Sequence, residues 1–127
     1  MEQIIDHVGF TVSDFERSKA FYGAVLGALG IEPMMQYDVG GVRHMGFGRG
    51  KPDFWISSGQ PMRGRLHVAF LARSRAEVHA FHTVALGLGA IDNGAPGIRP
   101  HYHPNYYGAF VLDPDGHNVE AVCHGKE

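Results

Sequence analysis

The chain has 127 residues and a formal net charge of −2 at pH 7, with its lysines and arginines scattered. This balance argues against binding to nucleic acid or to an anionic membrane surface. The length suits one domain with its own core, and the single cysteine, Cys123, excludes an internal disulfide and fits a reducing compartment. We expect no transmembrane segment and no signal peptide, and hence a cytoplasmic protein.

The first half of the chain predicts a strand, a helix and three short strands. Residues Ile4–Val12 alternate as a strand does, with His7 on one face and the apolar Phe10 on the other. Ser13 and Glu16 have the spacing of a capping box and predict a helix that ends near Leu29. Three short strands are then predicted at Ile31–Tyr37, Val42–Gly48 and Asp53–Ser57. A linker follows them at Ser58–Gly64.

The second half begins in the same way. A strand is predicted over Arg65–Ala72, and a second capping box from Ser74 to Glu77 opens a helix that ends near Leu88. Residues Ile91 and Asp92 predict a short strand, and the Gly-, Pro- and His-rich segment Asn93–Asn105 predicts a long loop.

The chain closes on a predicted hairpin. Strands at Tyr107–Leu112 and Asn118–Cys123 flank Asp113-Pro114-Asp115-Gly116, which has turn chemistry because Pro presets φ and Gly accepts a positive φ. Glu120 falls in the middle of the last strand, where an unpaired buried carboxylate would be costly. It therefore faces water or has a positively charged partner.

The two halves are an internal repeat. Residues 7–30 align with residues 67–90 without a gap, so that His, Val, Phe and an Ala-Phe pair coincide. Self-similarity of this size indicates duplication of a supersecondary unit, here β-α-β-β-β.

The repeat gives His7 and His67 equivalent places, on the strand face that the helix does not cover. A single histidine in such a place is more often a hydrogen-bonded structural residue than a ligand. Two at duplicated positions, together with Glu120, form a donor set suited to Fe, Mn, Zn or Ni as divalent ions. The metal would then be the positively charged partner of Glu120.

The paired units, the histidines of IDHVGF and LHVAF and the glutamate of DPDGHNVEAV resemble the vicinal oxygen chelate superfamily. This group contains glyoxalase I, bleomycin-resistance proteins and extradiol dioxygenases. The resemblance implies an α+β fold in a single domain, residues 1–127. Its two βαβββ modules, about 1–60 and 65–127, would form the cupped, incomplete β-barrel of the glyoxalase/bleomycin resistance/dihydroxybiphenyl dioxygenase fold. It also implies His7, His67 and Glu120 as metal ligands.

Members of the superfamily use the metal to bind vicinal oxygens of a small substrate, in lyase, isomerase or dioxygenase reactions. Glyoxalase I enzymes take a fourth ligand from the last strand of the first module, where this chain has Trp55, which cannot ligate a metal. The four-ligand scheme of glyoxalase I is therefore not expected here. The alternatives are a metal-free binding protein that resembles bleomycin-resistance proteins, and a scaffold or regulatory relative with a vestigial site.

The segment from His101 to Tyr107 provides further candidates for chemistry. Tyr106 and His103 are predicted, with Glu120, to be catalytic, because a phenol or an imidazole at the mouth of a cleft can orient a substrate or move a proton. The alternative is a polar, aromatic surface loop. Tyr106 and Tyr107 point to opposite faces, so at most one of them reaches the metal side.

Short members of the superfamily commonly form homodimers, and some build each site from both chains. If the modules pair across a dimer, His7 would face His67 and Glu120 of the partner. If they pair within the chain, all three come from one protomer. The sequence leaves both arrangements open.

Overall fold

The computed structural model describes residues 4–64 and 66–127, which form two four-stranded sheets with one helix each. The elements of the first half are β1 Val8–Val12, α1 Phe15–Gly27, β2 Glu32–Val39, β3 Val42–Gly48 and β4 Pro52–Ser58. Those of the second half are β5 His67–Leu71, α2 Arg75–Gly87, β6 Ile91–Ile98, β7 Tyr107–Leu112 and β8 Asn118–Cys123. Arg65, predicted to begin a strand, and the first three residues lie outside the described ranges.

The two sheets have the same topology. The strand orders are β1-β4-β3-β2 and β5-β8-β7-β6, in which the first pair of each sheet is parallel and the other pairs are antiparallel. Neither sheet closes on itself, so β1 and β5 are free sheet edges. The predicted α+β class with a repeated β-α-β-β-β unit is confirmed. No helix in the described ranges is long and apolar enough to cross a membrane.

The N-cap of α1 lies one residue later than predicted. Asp14, not Ser13, occupies the cap and accepts a hydrogen bond from the Arg17 backbone N–H at 3.1 Å. The Ser13 backbone N–H and hydroxyl instead bind Asp115 in the closing turn. At α2 the prediction is confirmed, since Ser74 is the N-cap and accepts from the Glu77 N–H at 3.2 Å.

The predicted loop at Asn93–Asn105 is wrong over its first half. Residues Ile91–Ile98 form β6, which pairs with β7 through two register shifts. An edge strand tolerates Pro and Gly at bulges, and β6 lies at the edge of its sheet. Turn-forming residues therefore do not end the strand here.

One core unites the two halves. The helix-side faces of both sheets contribute to it, and Phe54 of β4 meets Phe70 of β5 with ring centroids 4.9 Å apart and planes at 89°. The two helices also pack against each other. The fully buried side chains include Tyr22, Leu26, Phe47, Ile56, Phe81 and Val119.

A buried hydrogen bond links the first helix to the closing turn. The Tyr22 hydroxyl donates to Asp113 Oδ2 at 2.6 Å, while Asp113 Oδ1 accepts from the backbone N–H groups of Asp115 and His117 at 2.9 Å each. Burial, and then the Asp113 carboxylate, raise the pKa of the Tyr22 hydroxyl, which therefore keeps its proton and donates. This contact fixes the orientation of one module on the other.

We expect Tyr22→Phe to lower the free energy of unfolding by about 1–3 kcal/mol, because it leaves a buried carboxylate oxygen without its donor. Urea unfolding measures the change. Tyr102→Phe is the matched control, since Tyr102 is 59% exposed and its variant should unfold at the wild-type midpoint. Equal midpoints for all three proteins would contradict the assigned role of the contact.

Candidate metal centre

Glu120 is a buried carboxylate in the middle of the second sheet. Its side chain is 1% exposed, and β8 lies between β5 and β7, with Ala69 and Phe110 beside it in register. A Cβ at Gly108 would lie 3.0 Å from Glu120 Oε2, so the glycine leaves the room that the carboxylate occupies. The local sequence thus accommodates a charged group on a strand with apolar neighbours.

Each carboxylate oxygen of Glu120 has a side-chain partner. Oε1 lies 2.9 Å from His67 Nε2, and Oε2 accepts a short hydrogen bond from the Tyr106 hydroxyl. Burial, and then the hydrogen bond to Glu120, raise the pKa of the Tyr106 hydroxyl far above its ordinary value. The phenol is therefore a donor that holds the carboxylate, and its proton is not readily lost.

His67 stands at the start of β5, on the sheet face opposite the helix, as predicted. Its side chain is 51% exposed, and Nε2 faces the carboxylate of Glu120. The predicted ligand groups of His67 and Glu120 therefore lie next to each other. The sequence-based prediction thus put both residues on one face of one sheet.

His7 lies elsewhere in the chain. Its Nδ1 is 2.8 Å from Asp6 Oδ2, and the ammonium of Lys51 binds the other oxygen of Asp6. The hydrogen bonds from Lys51 and then His7 lower the pKa of Asp6, which stays an ionised acceptor. Nδ1 of His7 therefore donates to Asp6, and Nε2 is the ring nitrogen that Asp6 does not bind.

A single chain does not assemble the three predicted ligands. Among residues 4–64 and 66–127, no group of three or more His, Cys, Asp or Glu side chains is placed to hold a metal. His7 lines a cavity of about 400 Å³ on the first sheet, whereas His67 lines another of about 580 Å³ between the free edges β1 and β5. The side chains of His67 and Glu120 thus lie together, and that of His7 faces a different cavity.

His103 lies beside Tyr106. Its Nδ1 accepts from the Asn105 N–H at 3.1 Å, which leaves the proton on Nε2, and Nε2 lies 2.8 Å from His124 Nδ1. Its ring centroid is 5.5 Å from that of Tyr106. Tyr107 points the other way and meets His79 of α2, so only Tyr106 reaches Glu120.

Trp55 is the counterpart of Glu120 in the first sheet. It pairs in register with Gly9, as Glu120 pairs with Ala69, and the repeat aligns Gly9 with Ala69. The first sheet therefore has an indole where the second has a carboxylate. Sequence analysis missed Asp6 and Lys51 as the groups that fix the His7 tautomer, although an acidic residue directly before a candidate ligand is a visible signal.

Comparisons with known proteins identify the family. The sequence matches the model of the Glyoxalase/Bleomycin resistance protein/Dioxygenase superfamily over residues 4–121, and the chain belongs to this superfamily. A comparison with curated proteins found no match.

Solved structures with the same fold support this assignment. A glyoxalase/bleomycin resistance protein from Albidiferax ferrireducens is 29% identical, with 93% of this chain and 97% of that chain covered and a TM-score of 0.71. A glyoxalase I variant from Zea mays is 24% identical, and the match covers 93% of this chain but 45% of that one, with a TM-score of 0.71. The fosfomycin resistance protein FosX from Listeria monocytogenes, complexed with Mn(II) and sulfate, is 19% identical, with coverages of 97% and 93% and a TM-score of 0.69.

The raised pKa of Tyr106 gives a prediction for alkaline titration. Tyr106 stays protonated through the range of about pH 9–11 in which an unperturbed tyrosine ionises. Tyr106→Phe should therefore leave the tyrosinate absorbance change over that range unaltered. N-acetyltyrosinamide in the same buffer calibrates the signal per tyrosine, and a loss equal to one tyrosine would contradict the assigned hydrogen bond.

Proposed function

We propose that this protein is an enzyme that depends on a divalent metal held by His7, His67 and Glu120 and acts on a small oxygenated substrate. The observation that carries the proposal is the arrangement at Glu120, a buried carboxylate whose two oxygens face His67 Nε2 and the Tyr106 hydroxyl. Buried charge of this kind is costly unless it is paired or binds a metal. The reaction class is a lyase or isomerase reaction or a dioxygenation, in the cytoplasm.

The residues present fit a metal of the first transition series. Neutral imidazole nitrogens with one carboxylate suit Fe, Mn, Zn or Ni, and Mn(II) is the ion named for the FosX complex. Asp6 fits as well, because a carboxylate on Nδ1 of a ligating histidine fixes the tautomer that leaves Nε2 free. When bound, the metal would supply Lewis acidity toward oxygens of the substrate.

The chain's own residues have definite parts in this scheme. Tyr106 positions Glu120 by donating to the oxygen that faces away from His67. His103 supports the ring of Tyr106, since both of its own ring nitrogens are engaged by Asn105 and His124. His103 and Tyr106 would thus orient the carboxylate and the substrate at the mouth of the cleft.

We further propose that the site is shared between two chains of a homodimer. Within one chain His7 and Glu120 lie on the outer faces of different sheets, beyond the common core that contains Phe54 and Phe70. The free edges β1 and β5 expose apolar side chains, with Val8 40% and Leu71 55% exposed, which a second copy would cover. His7 of one chain would then meet His67 and Glu120 of the other.

A second candidate function is metal-free binding of a small molecule, as in proteins similar to bleomycin-resistance proteins. The cavity beside His7 favours this candidate, because it is lined by the rings of Tyr37, His44 and Trp55. Trp55 occupies the position equivalent to Glu120, and its side chain cannot ligate a metal. Metal analysis separates the two candidates.

We expect the untagged protein, purified without chelator, to contain close to one Fe, Mn, Zn or Ni ion per chain. Glu120→Gln should abolish binding, since it removes the charge and keeps the shape. Tyr106→Phe should weaken metal affinity by about 10- to 100-fold, the usual effect of losing a partner that orients a ligand. Metal analysis by mass spectrometry and competition with a chelator measure both effects.

His79→Gln is the control for these variants, because His79 lies on α2 and bonds to Tyr107 away from Glu120. It should keep the wild-type metal content. A folded wild-type protein that takes up none of the four metals on reconstitution would rule out the metalloenzyme and leave the binding protein.

A mixture of two variants tests the shared site. His7→Ala and Glu120→Ala chains should each bind no metal alone. After subunit exchange about half of the dimers are hybrids with one intact site of two, so about a quarter of the wild-type metal content should return. Recovery of none, with hybrid dimers verified by native mass spectrometry, would show that each site lies within one chain or that the ligands are wrong.

A further inference from the structure

The Tyr106 ring, whose hydroxyl donates to Glu120, lies against two histidines. The ring of His103 stands at 72° to it and the ring of His124 at 82°, and both ring centroids lie 5.5 Å from that of Tyr106. Edge-to-face contacts of this kind are a favoured arrangement of aromatic rings. The direction in which the Tyr106 hydroxyl points therefore depends on where the two imidazoles lie.

A hydrogen bond of defined direction joins the two histidines. The Asn105 backbone N–H donates to His103 Nδ1 at 3.1 Å, so the proton of the neutral ring lies on His103 Nε2. His103 Nε2 then donates to His124 Nδ1 at 2.8 Å, and the two rings stack at 28° with centroids 5.1 Å apart. His124 is thus the acceptor that keeps the His103 ring in place.

These contacts form a closed circuit that begins and ends on β8. His124 follows directly after that strand, and its contact with Tyr106 puts it on the side of the strand that Glu120 faces. Alternation along the strand agrees, since the two positions have the same parity. His103 and Tyr106 come from the segment that joins β6 to β7. The strand that carries the buried carboxylate therefore leads directly into a support for the donor of that carboxylate.

We propose that His124 is a positioning residue for the candidate metal centre. It holds His103 by accepting its N–H, and the two imidazoles hold the Tyr106 hydroxyl on Glu120 Oε2. His124 thus acts on the carboxylate through Tyr106. The effect on a bound metal rests on the proposed metal site, whereas the effect on Tyr106 does not depend on metal. The two claims can therefore be tested separately.

Two substitutions of His124 separate its hydrogen bond from the rest of the side chain. His124→Ala removes the acceptor, whereas His124→Asn keeps one, since the side-chain carbonyl oxygen of Asn can take the place of Nδ1. The His124 side chain is exposed, so both variants should fold and should unfold in urea near the wild-type midpoint. His103→Ala removes the donor and is a second, independent way to break the same bond.

The ionisation of Tyr106 reports on its position in protein stripped of metal by a chelator. In the wild type Tyr106 stays protonated over the range of about pH 9–11, because burial and the hydrogen bond to Glu120 raise its pKa. His124→Ala should release the ring and add about half of the absorbance change of one tyrosine over that range. His124→Asn should titrate like the wild type, and His103→Ala should titrate like His124→Ala.

A double variant identifies the tyrosine that is responsible. When Tyr106→Phe is combined with His124→Ala, the added absorbance should disappear. The inference is overturned if His124→Ala titrates like the wild type, if His124→Asn titrates like His124→Ala, or if the added absorbance persists in the double variant.

Metal affinity, measured by competition with a chelator, tests the consequence for the candidate centre. His124→Ala should weaken affinity by roughly 3- to 10-fold, less than Tyr106→Phe does, because the phenol is still present. His124→Asn should bind metal like the wild type. In the Tyr106→Phe background His124→Ala should cause no further loss, because His124 acts through Tyr106.

Failure of this inference and failure of the proposed function give different results. A wild type that binds no metal, with the expected titrations, would overturn the proposed function and support the positioning of Tyr106 by His124. A His124→Ala variant with the wild-type titration and the wild-type metal affinity would do the reverse. Additive losses of affinity from His124→Ala and Tyr106→Phe would also overturn the inference, since they would mean that His124 acts independently of Tyr106.

Discussion

The rest of the candidate site depends on the burial of one carboxylate. Glu120 is almost inaccessible in the middle of a sheet, and a charge there must be matched by neighbouring groups. Tyr106 and His67 provide them, one on each oxygen, and Gly108 provides the space. This need explains why a phenol with a raised pKa and an exposed imidazole lie on either side of β8, at the position of Glu120.

Much of this arrangement could be predicted from the sequence. The gapless repeat sets the order of the strands, and alternation along β5 and β8 puts His67 and Glu120 on one face, with Tyr106 rather than Tyr107 reaching it. These inferences succeed because they depend on local periodicity and on duplication. The turn at Asp113–Gly116 is equally local, and its Gly116 has a φ of 89°.

The rest could not be predicted because it depends on contacts between distant residues. Ser13 and Asp14 are both good caps, and only the approach of Asp115 decides that Ser13 bonds outside the helix. The bulged pairing of β6 depends on the presence of β7 beside it. The position of His7 relative to Glu120 follows from how the modules pack, which is set by Tyr22 and Asp113 among others.

The contacts of the closing turn also bear on how the duplicated halves have evolved. Asp113 and Asp115 belong to the second module, yet they bind Tyr22 and Ser13 of the first. If the modules were separated, the Tyr22 hydroxyl of the first and the Asp113 carboxylate of the second would each lose its hydrogen-bond partner. The two duplicated modules have thus become dependent on each other through these contacts. Sheet faces outside the contacts can still diverge, as the equivalent positions Trp55 and Glu120 have done.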